Sequence, residues 1–226
     1  MAFNYSPKIV TDGLVLYLDA ANTRSYPGTG TTWSDLSRGG NNGVLTNGPT
    51  FNSGNGGSIV FDGADDLVNT TNISFGTNPF SICLWFKINS NQTTNSTLIA
   101  VAAAGTANNW QLSFINNTEL LFFYRGITEV NAFNLNTTFS LNTWYHICIT
   151  RDVANDIKSY VNGTQTATVN YVGNYTYSEI IRLGLNRGGT TYYNGQISIV
   201  HIYNNIALTS TQVIQNYNAT KGRFGL

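Results

Sequence analysis

Apolar residues in this chain recur at every second position far more often than at helical spacing. Over Phe80–Ile88, Phe80, Ile82, Leu84, Phe86 and Ile88 fall on one face of an extended segment, with Ser81, Cys83, Trp85 and Lys87 on the other. Residues 144–150 repeat the design, with Tyr145, Ile147 and Ile149 alternating against Trp144, His146, Cys148 and Thr150. The same signal predicts strands over 14–18, 58–61, 98–102, 110–115, 120–124, 157–161, 164–169, 180–185 and 196–203. Asn162-Gly163 separates two alternating runs and suits a type I′ hairpin turn, whose two central residues both need positive φ. Asn116-Asn117 reads the same way, and the Gly-rich stretch 52–57 reads as a loop. One helix is predicted: Thr209 with Gln212 makes a capping box, and Val213, Ile214 and Tyr217 follow at helical spacing. Being short and terminal, it is expected to cover a sheet. About eleven short strands at roughly ten-residue spacing predict a single β-sandwich over 13–226, preceded by an arm over 1–12.

Composition narrows the partners. Only 10% of the 226 residues are charged, and 11 Lys+Arg balance 11 Asp+Glu. That balance excludes the phosphate-neutralising surface of a general nucleic-acid binder, and no apolar run approaches the ~18 residues of a membrane insertion. The polar load is carried by 31 Asn and 29 Thr, a surface suited to neutral hydrogen-bonding partners. The start, Met1 to Lys8, has no basic segment followed by an apolar core, which predicts synthesis in a cytoplasm. Cys83 and Cys148 are too few for a disulfide scaffold or a four-ligand metal site; each is expected as a small buried thiol, with their pairing left open.

Several segments carry a family resemblance. GLVLYLDAAN (13–22), TTWSDLS (31–37), NNGVLTNGPTF (41–51), SIVFDGADDLV (58–68), FSICLWFK (80–87), the pair WYHICITRD and KSYVNGTQ, and the closing GQISIVHIYNNIALTSTQVIQNYNATKGRFGL are similar to laminin-G-like jelly-roll domains of the concanavalin A-like lectin/glucanase superfamily. The resemblance implies an all-β jelly-roll sandwich of two antiparallel sheets with a short C-terminal helix. The ends, over 18–37 and 216–226, also resemble lectin-like proteins among tailed-phage structural genes. They imply a non-enzymatic virion structural protein, a capsid decoration or a head or tail appendage on the virion surface, made in the host cytoplasm. Its partners would be capsid subunits and further copies of itself, with the two chain ends available as docking arms. The alternative reading is a carbohydrate-binding module for host-surface glycans.

Candidate chemistry follows from the same residues. The glucanase branch resembles E-x-D-x-E, because a glycosidase needs two carboxylates a few ångströms apart. Here Glu119, Glu129 and Glu179 are the only glutamates, and none has an acidic residue two places away, so no enzyme is expected. His146 and His201 fall inside strand patterns and are expected as hydrogen-bonded structural histidines. The resemblance implies calcium, and Asp62, Asp65 and Asp66 are its candidate ligands; the competing reading of Asp62-Gly63 is a tight turn in which the carboxylate caps its own backbone. A second acidic cluster is Asp19, Asn22, Asp35 and Asn41. A sugar site needs an aromatic platform beside amides. Tyr192, Tyr193 and Asn194, with Arg187, are its best candidates, joined by Trp110 and Trp33 and by the loop residues Tyr26, Tyr175 and Tyr177. Trp85 and Trp144 are expected in the core.

Overall fold

The computed structural model describes residues 7–102, 109–116, 118–125, 130–173, 175 and 180–226. Its first strands are β1 (Leu14–Asp19), β2 (Thr32–Trp33), β3 (Gly43–Thr46), β4 (Thr50–Asn52), β5 (Ser58–Asp62) and β6 (Leu67–Asn72). There follow β7 (Phe80–Ile88), β8 (Thr97–Val101), β9 (Asn109–Phe114), β10 (Glu119–Arg125) and β11 (Val130–Thr138). The last are β12 (Trp144–Arg151), β13 (Asp156–Val161), β14 (Thr164–Asn170), β15 (Ile180–Leu183) and β16 (Asn194–Asn204), with helix α1 (Ser210–Thr220) after them. Sheet 1 runs β14-β13-β12-β7-β16-β5-β4, with β1 also paired to β16; sheet 2 runs β11-β10-β9-β8-β15-β6-β3-β2. The result is the two-sheet antiparallel sandwich with a short C-terminal helix that the sequence leads one to expect.

Alternation sets the core. Phe80, Ile82, Leu84, Phe86 and Ile88 of β7 face sheet 2, where Phe86 meets Phe114 and Phe139 at centroid distances of 6.2 and 5.4 Å. Each such ring contributes about 1.5–3 kcal/mol of burial. The turn at Asn162-Gly163 joins β13 to β14 with φ of 49° and 81°, as its residues predict. The Asn116-Asn117 turn lies partly outside the described residues. The five strands that the pattern does not predict, β2, β3, β4, β6 and β11, are short or rich in Asn and Thr, and their apolar positions are too few to stand out.

The outer face of sheet 1 is apolar too, because α1 and the residues after it lie on it. Thr209 caps α1 by accepting from the Gln212 N–H, and the Gln212 side chain accepts in return from the Thr209 N–H. Trp85 stacks on Phe224 at 4.0 Å and donates its indole N–H to Thr220 Oγ1 at 2.8 Å, while Trp144 lies 4.8 Å from Phe224. Both tryptophans are therefore buried in this second layer rather than between the sheets. Cys83 and Cys148 face each other across β7 and β12 and are joined by a disulfide, which corrects the expectation of free thiols. Pairing was invisible to the alternation pattern because it depends on the register of two strands 65 residues apart.

The ends are corrected as well. The Val10 N–H donates to Asn216 Oδ1 at 2.8 Å, the Tyr203 hydroxyl donates to the Val10 carbonyl at 2.9 Å, and Gln215 Nε2 donates to the Lys8 carbonyl at 2.7 Å. At the other end Phe224 is buried. Residues 8–10 and 223–224 are thus pinned to their own domain and are not free docking arms; residues 1–6 lie outside the described residues.

Candidate functional site

Most of the aromatic residues singled out in the sequence fill the sandwich. Trp33, Trp110 and Tyr193 are at most 1% exposed, and Tyr26 and Tyr175 are buried. They cannot present a platform to a sugar. On β9 the alternation turns Trp110 inward with Leu112 and Phe114, and Trp110 stacks against Phe75 at 5.7 Å. Tyr193 points into the core between Phe61 and Phe114 and satisfies its hydroxyl on the Lys87 carbonyl at 2.8 Å. Tyr177 lies outside the described residues. Tyr192, Asn194 and Arg187 remain half-exposed. The Arg187 N–H donates to Gln111 Oε1 at 3.2 Å and its Nη1 to Asn109 Oδ1 at 2.8 Å, which lays the 185–192 loop over the outer face of sheet 2.

The acidic turn does converge. Carboxylate oxygens of Asp62, Asp65 and Asp66 lie within 4.8 Å of one another. Asp62 Oδ1 accepts from the Ala64 N–H at 2.8 Å, and Asp66 Oδ2 accepts from the Asp62 N–H at 2.9 Å, so the turn's own backbone uses part of this set. Burial, with the neighbouring Asp62 and Asp65 charges, raises the Asp66 pKa. At one oxygen from each, three carboxylates supply three of the six to eight ligands that calcium takes. Asn194 closes the turn from outside, donating its Nδ2 to the Asp62 carbonyl at 2.6 Å. In the second acidic cluster the carboxylates are already engaged. Asp35 accepts from the Tyr17, Ser37 and Asn41 N–H groups and the Ser37 hydroxyl, and Asp19 is taken up by an arginine.

That arginine belongs to a feature the sequence did not disclose. A cleft of about 1000 Å³ opens on sheet 1 between residues 7–12, β1, the 36–38 loop and the end of α1. On its wall Tyr17 points outward from β1, with its ring 4.7 Å from His201 and its hydroxyl donating to Asp19 Oδ2 at 3.3 Å. Arg223 Nη1 reaches both Asp19 oxygens at 2.9 and 3.1 Å, and its Nη2 donates to Ser198 Oγ at 3.0 Å. Burial, reinforced by Asp19, pushes the Tyr17 phenol up to about 12, so its hydroxyl stays protonated at neutral pH. Thr11, Ser37 and Thr220 are among its lining residues, the Ser37 hydroxyl already donating to Asp35 and that of Thr220 to the Asn216 carbonyl, and Lys8, Asp12 and Arg38 stand exposed in the lining. An aromatic face beside a rigid pair of planar charged groups is chemistry that can receive a sugar ring. Asp19 and Arg223 are 204 residues apart, and no local motif announces their meeting.

A laminin-G-type family model, described as the concanavalin A-like lectin/glucanases superfamily, matches residues 62–214. The chain belongs to this superfamily. No relative among curated proteins matches the sequence. Among solved structures, the fold is similar to domain 4 of AbnA, an extracellular GH43 arabinanase from Geobacillus stearothermophilus, solved in complex with arabinotriose; identity is 19%, the TM-score is 0.73, and the match covers 92% of this chain and 100% of that one. It is also similar to the binding domain of botulinum neurotoxin DC in complex with SialylT, at 16% identity and TM-score 0.71, covering 93% of this chain and 52% of the toxin chain. The same toxin domain in complex with rat synaptotagmin II gives 17% identity and TM-score 0.72. This superfamily chain thus spans about half the length of the toxin binding domains, and at such identities the likeness establishes the lectin-like fold.

Proposed function

We propose that this domain is a non-catalytic carbohydrate-binding module whose saccharide lies in the cleft walled by Tyr17, Asp19 and Arg223. The observation that carries the reading is the convergence there of an outward aromatic ring and a two-oxygen Asp–Arg pair on a volume fit for a small oligosaccharide. The neighbours that hold arabinotriose and SialylT on similar folds support the ligand class. A glycosidase would need a second carboxylate poised opposite the first. The cleft lining holds two carboxylates, Asp12 and Asp19, of which Asp19 is engaged by Arg223 and Asp12 stands exposed, and the converging Asp62, Asp65 and Asp66 sit on a turn outside that lining. The test is an array of plant, bacterial and animal glycans probed with purified protein. Binding to a defined subset, weakened at least tenfold by Tyr17→Ala and not by Tyr192→Ala, is the expected result. Equal loss in both variants, or no glycan bound, contradicts it.

The setting proposed for the module is a virion surface, on capsid subunits or among copies of itself. Its support is the likeness of 18–37 and 216–226 to phage structural lectins, and these two segments supply Asp19, Leu36, Ser37, Thr220 and Arg223 to the cleft. Co-sedimentation of the protein with virions tests this setting separately from sugar binding.

A further inference from the structure

The disulfide found in sheet 1 sits where it touches the cleft. Strand register places Tyr17, His201, Cys83, Cys148 and Tyr160 opposite one another in a row across β1, β16, β7, β12 and β13. Chain neighbours Ile82, Leu84, Ile147 and Ile149 fill the core, so both cysteines point away from it. The row begins at Tyr17 in the cleft lining and reaches the disulfide two strands on. Neither cysteine is exposed. What covers them is Val10 from the start of the chain, with Leu208 and Val213 from the segment that enters and forms α1, packed together with Tyr160 and Tyr203.

The same two segments build the cleft. Pro7, Lys8, Ile9, Thr11 and Asp12 on one side, and Ala219, Thr220 and Arg223 on the other, flank the residues that seal the sulfurs. Asn216 joins the two, accepting from the Val10 N–H at 2.8 Å and donating its Nδ2 to the Tyr203 hydroxyl at 2.9 Å. Ser81, two residues before Cys83, accepts from the Leu208 N–H at 2.8 Å. The fit of this cover depends on the oxidation state beneath it. Bonded sulfurs stand about 2 Å apart, whereas two thiols need the roughly 3.5–4 Å of ordinary contact. With the sheet behind them and a filled apolar cluster in front, parted sulfurs make room only by displacing a neighbour. β7 and β12 are tied to each other at eight paired positions, while the cover is held by a few side-chain hydrogen bonds, so the cover yields first.

We infer that the Cys83–Cys148 disulfide is a redox latch on the cleft: oxidised, it lets residues 7–12 and α1 seat on sheet 1 as the cleft walls, and reduced, it lifts them. Reduction by a dithiol breaks the S–S bond; two electrons and two protons turn the sulfurs into thiols while the dithiol leaves as its own disulfide, and a low-molecular-weight disulfide such as oxidised glutathione reverses the exchange. The latch stands on packing alone, and its control of binding rests on the cleft being the saccharide site. Hydrogen–deuterium exchange of the full chain, oxidised and after dithiothreitol, tests it. The expected result is exchange at least tenfold faster over 8–12 and 208–224 in the reduced chain, with β7 and β12 unchanged. Independently, Asn216→Ala unties the two halves of the cover and is expected to speed reduction of the native disulfide by dithiothreitol tenfold or more, since the sulfurs are reached only when the cover lifts. Exchange that rises equally through β7 and β12, or that stays unchanged over the cover, overturns the latch, as does a reduction rate indifferent to Asn216→Ala. On an array of plant, bacterial and animal glycans, the oxidised chain is expected to bind at least tenfold more tightly than the reduced one. Equal binding by both forms overturns the control of the site. No binding by either form overturns the module reading, while the exchange result still decides the latch.

Discussion

Arg151 is buried with no salt-bridge partner among the described residues, and its charge is met by oxygen dipoles. Its Nη1 donates to the Thr77 and Asn78 carbonyls at 2.9 and 3.2 Å, its Nη2 to the Gly173 carbonyl at 2.9 Å and to Asn155 Oδ1, and its guanidinium lies 5.2 Å from the Tyr175 ring. One side chain thus ties three loops at one end of the sandwich. Arg151→Met keeps the bulk but strands these acceptors, and urea unfolding is expected to show a loss of about 3 kcal/mol. His146 and His201 are a second residue-scale case. Both are buried, His146 against Trp85 and Tyr217 and His201 against Tyr17 and Tyr203, and burial depresses each to about 3. They remain neutral when folded but take up protons when unfolded, so stability is full above about pH 6.5 and is lost as pH falls. The two together are expected to remove about 4 kcal/mol between pH 7 and pH 5. Urea unfolding at the two pH values checks this, and His201→Gln should roughly halve the loss. The acidic turn is decided by melting in millimolar calcium against chelator. Its backbone bonds hold its shape unaided, so no shift is expected; a rise of several degrees abolished by Asp66→Asn would assign the ion.

Among the elements, legibility followed the number of apolar positions per strand. β7 and β12 were plain because nine and eight residues alternate without interruption. β2 and β4 have two and three residues and carry one aromatic each, so nothing in them rises above the turns around them. The capping box of α1 was legible because it is a local rule of four residues. What was not legible is which strand face a covering element would bury. Trp85, Cys83 and His146 alternate away from the core, and only the placement of Phe224 and Tyr217 over them makes that face dry. The same limit hid the site: Tyr192 and Tyr193 look alike in sequence, yet one lies at the surface and its neighbour turns into the core. Removing the ring that closes the second layer, by Phe224→Ala, is expected to cost about 3 kcal/mol. A red shift of tryptophan emission, as Trp85 and Trp144 gain water, is the accompanying signature.

At the scale of the whole molecule, the sandwich carries a cleft on one sheet, with residues 7–12 and 219–223 folded together to build it. The low charge noted in the sequence gains meaning here. With so few ionic groups, the Asp19–Arg223 pair at the cleft stands out against an amide-rich and hydroxyl-rich surface, which is how a binding module for polar, weakly charged polymers would be arranged. Hydrogen–deuterium exchange with and without a saturating glycan from the array tests the central claim most directly. Protection gathered at residues 8–12, 14–17, 36–38 and 219–223 is the predicted result; a bound glycan that protects neither this cleft nor any residue near it would contradict the account.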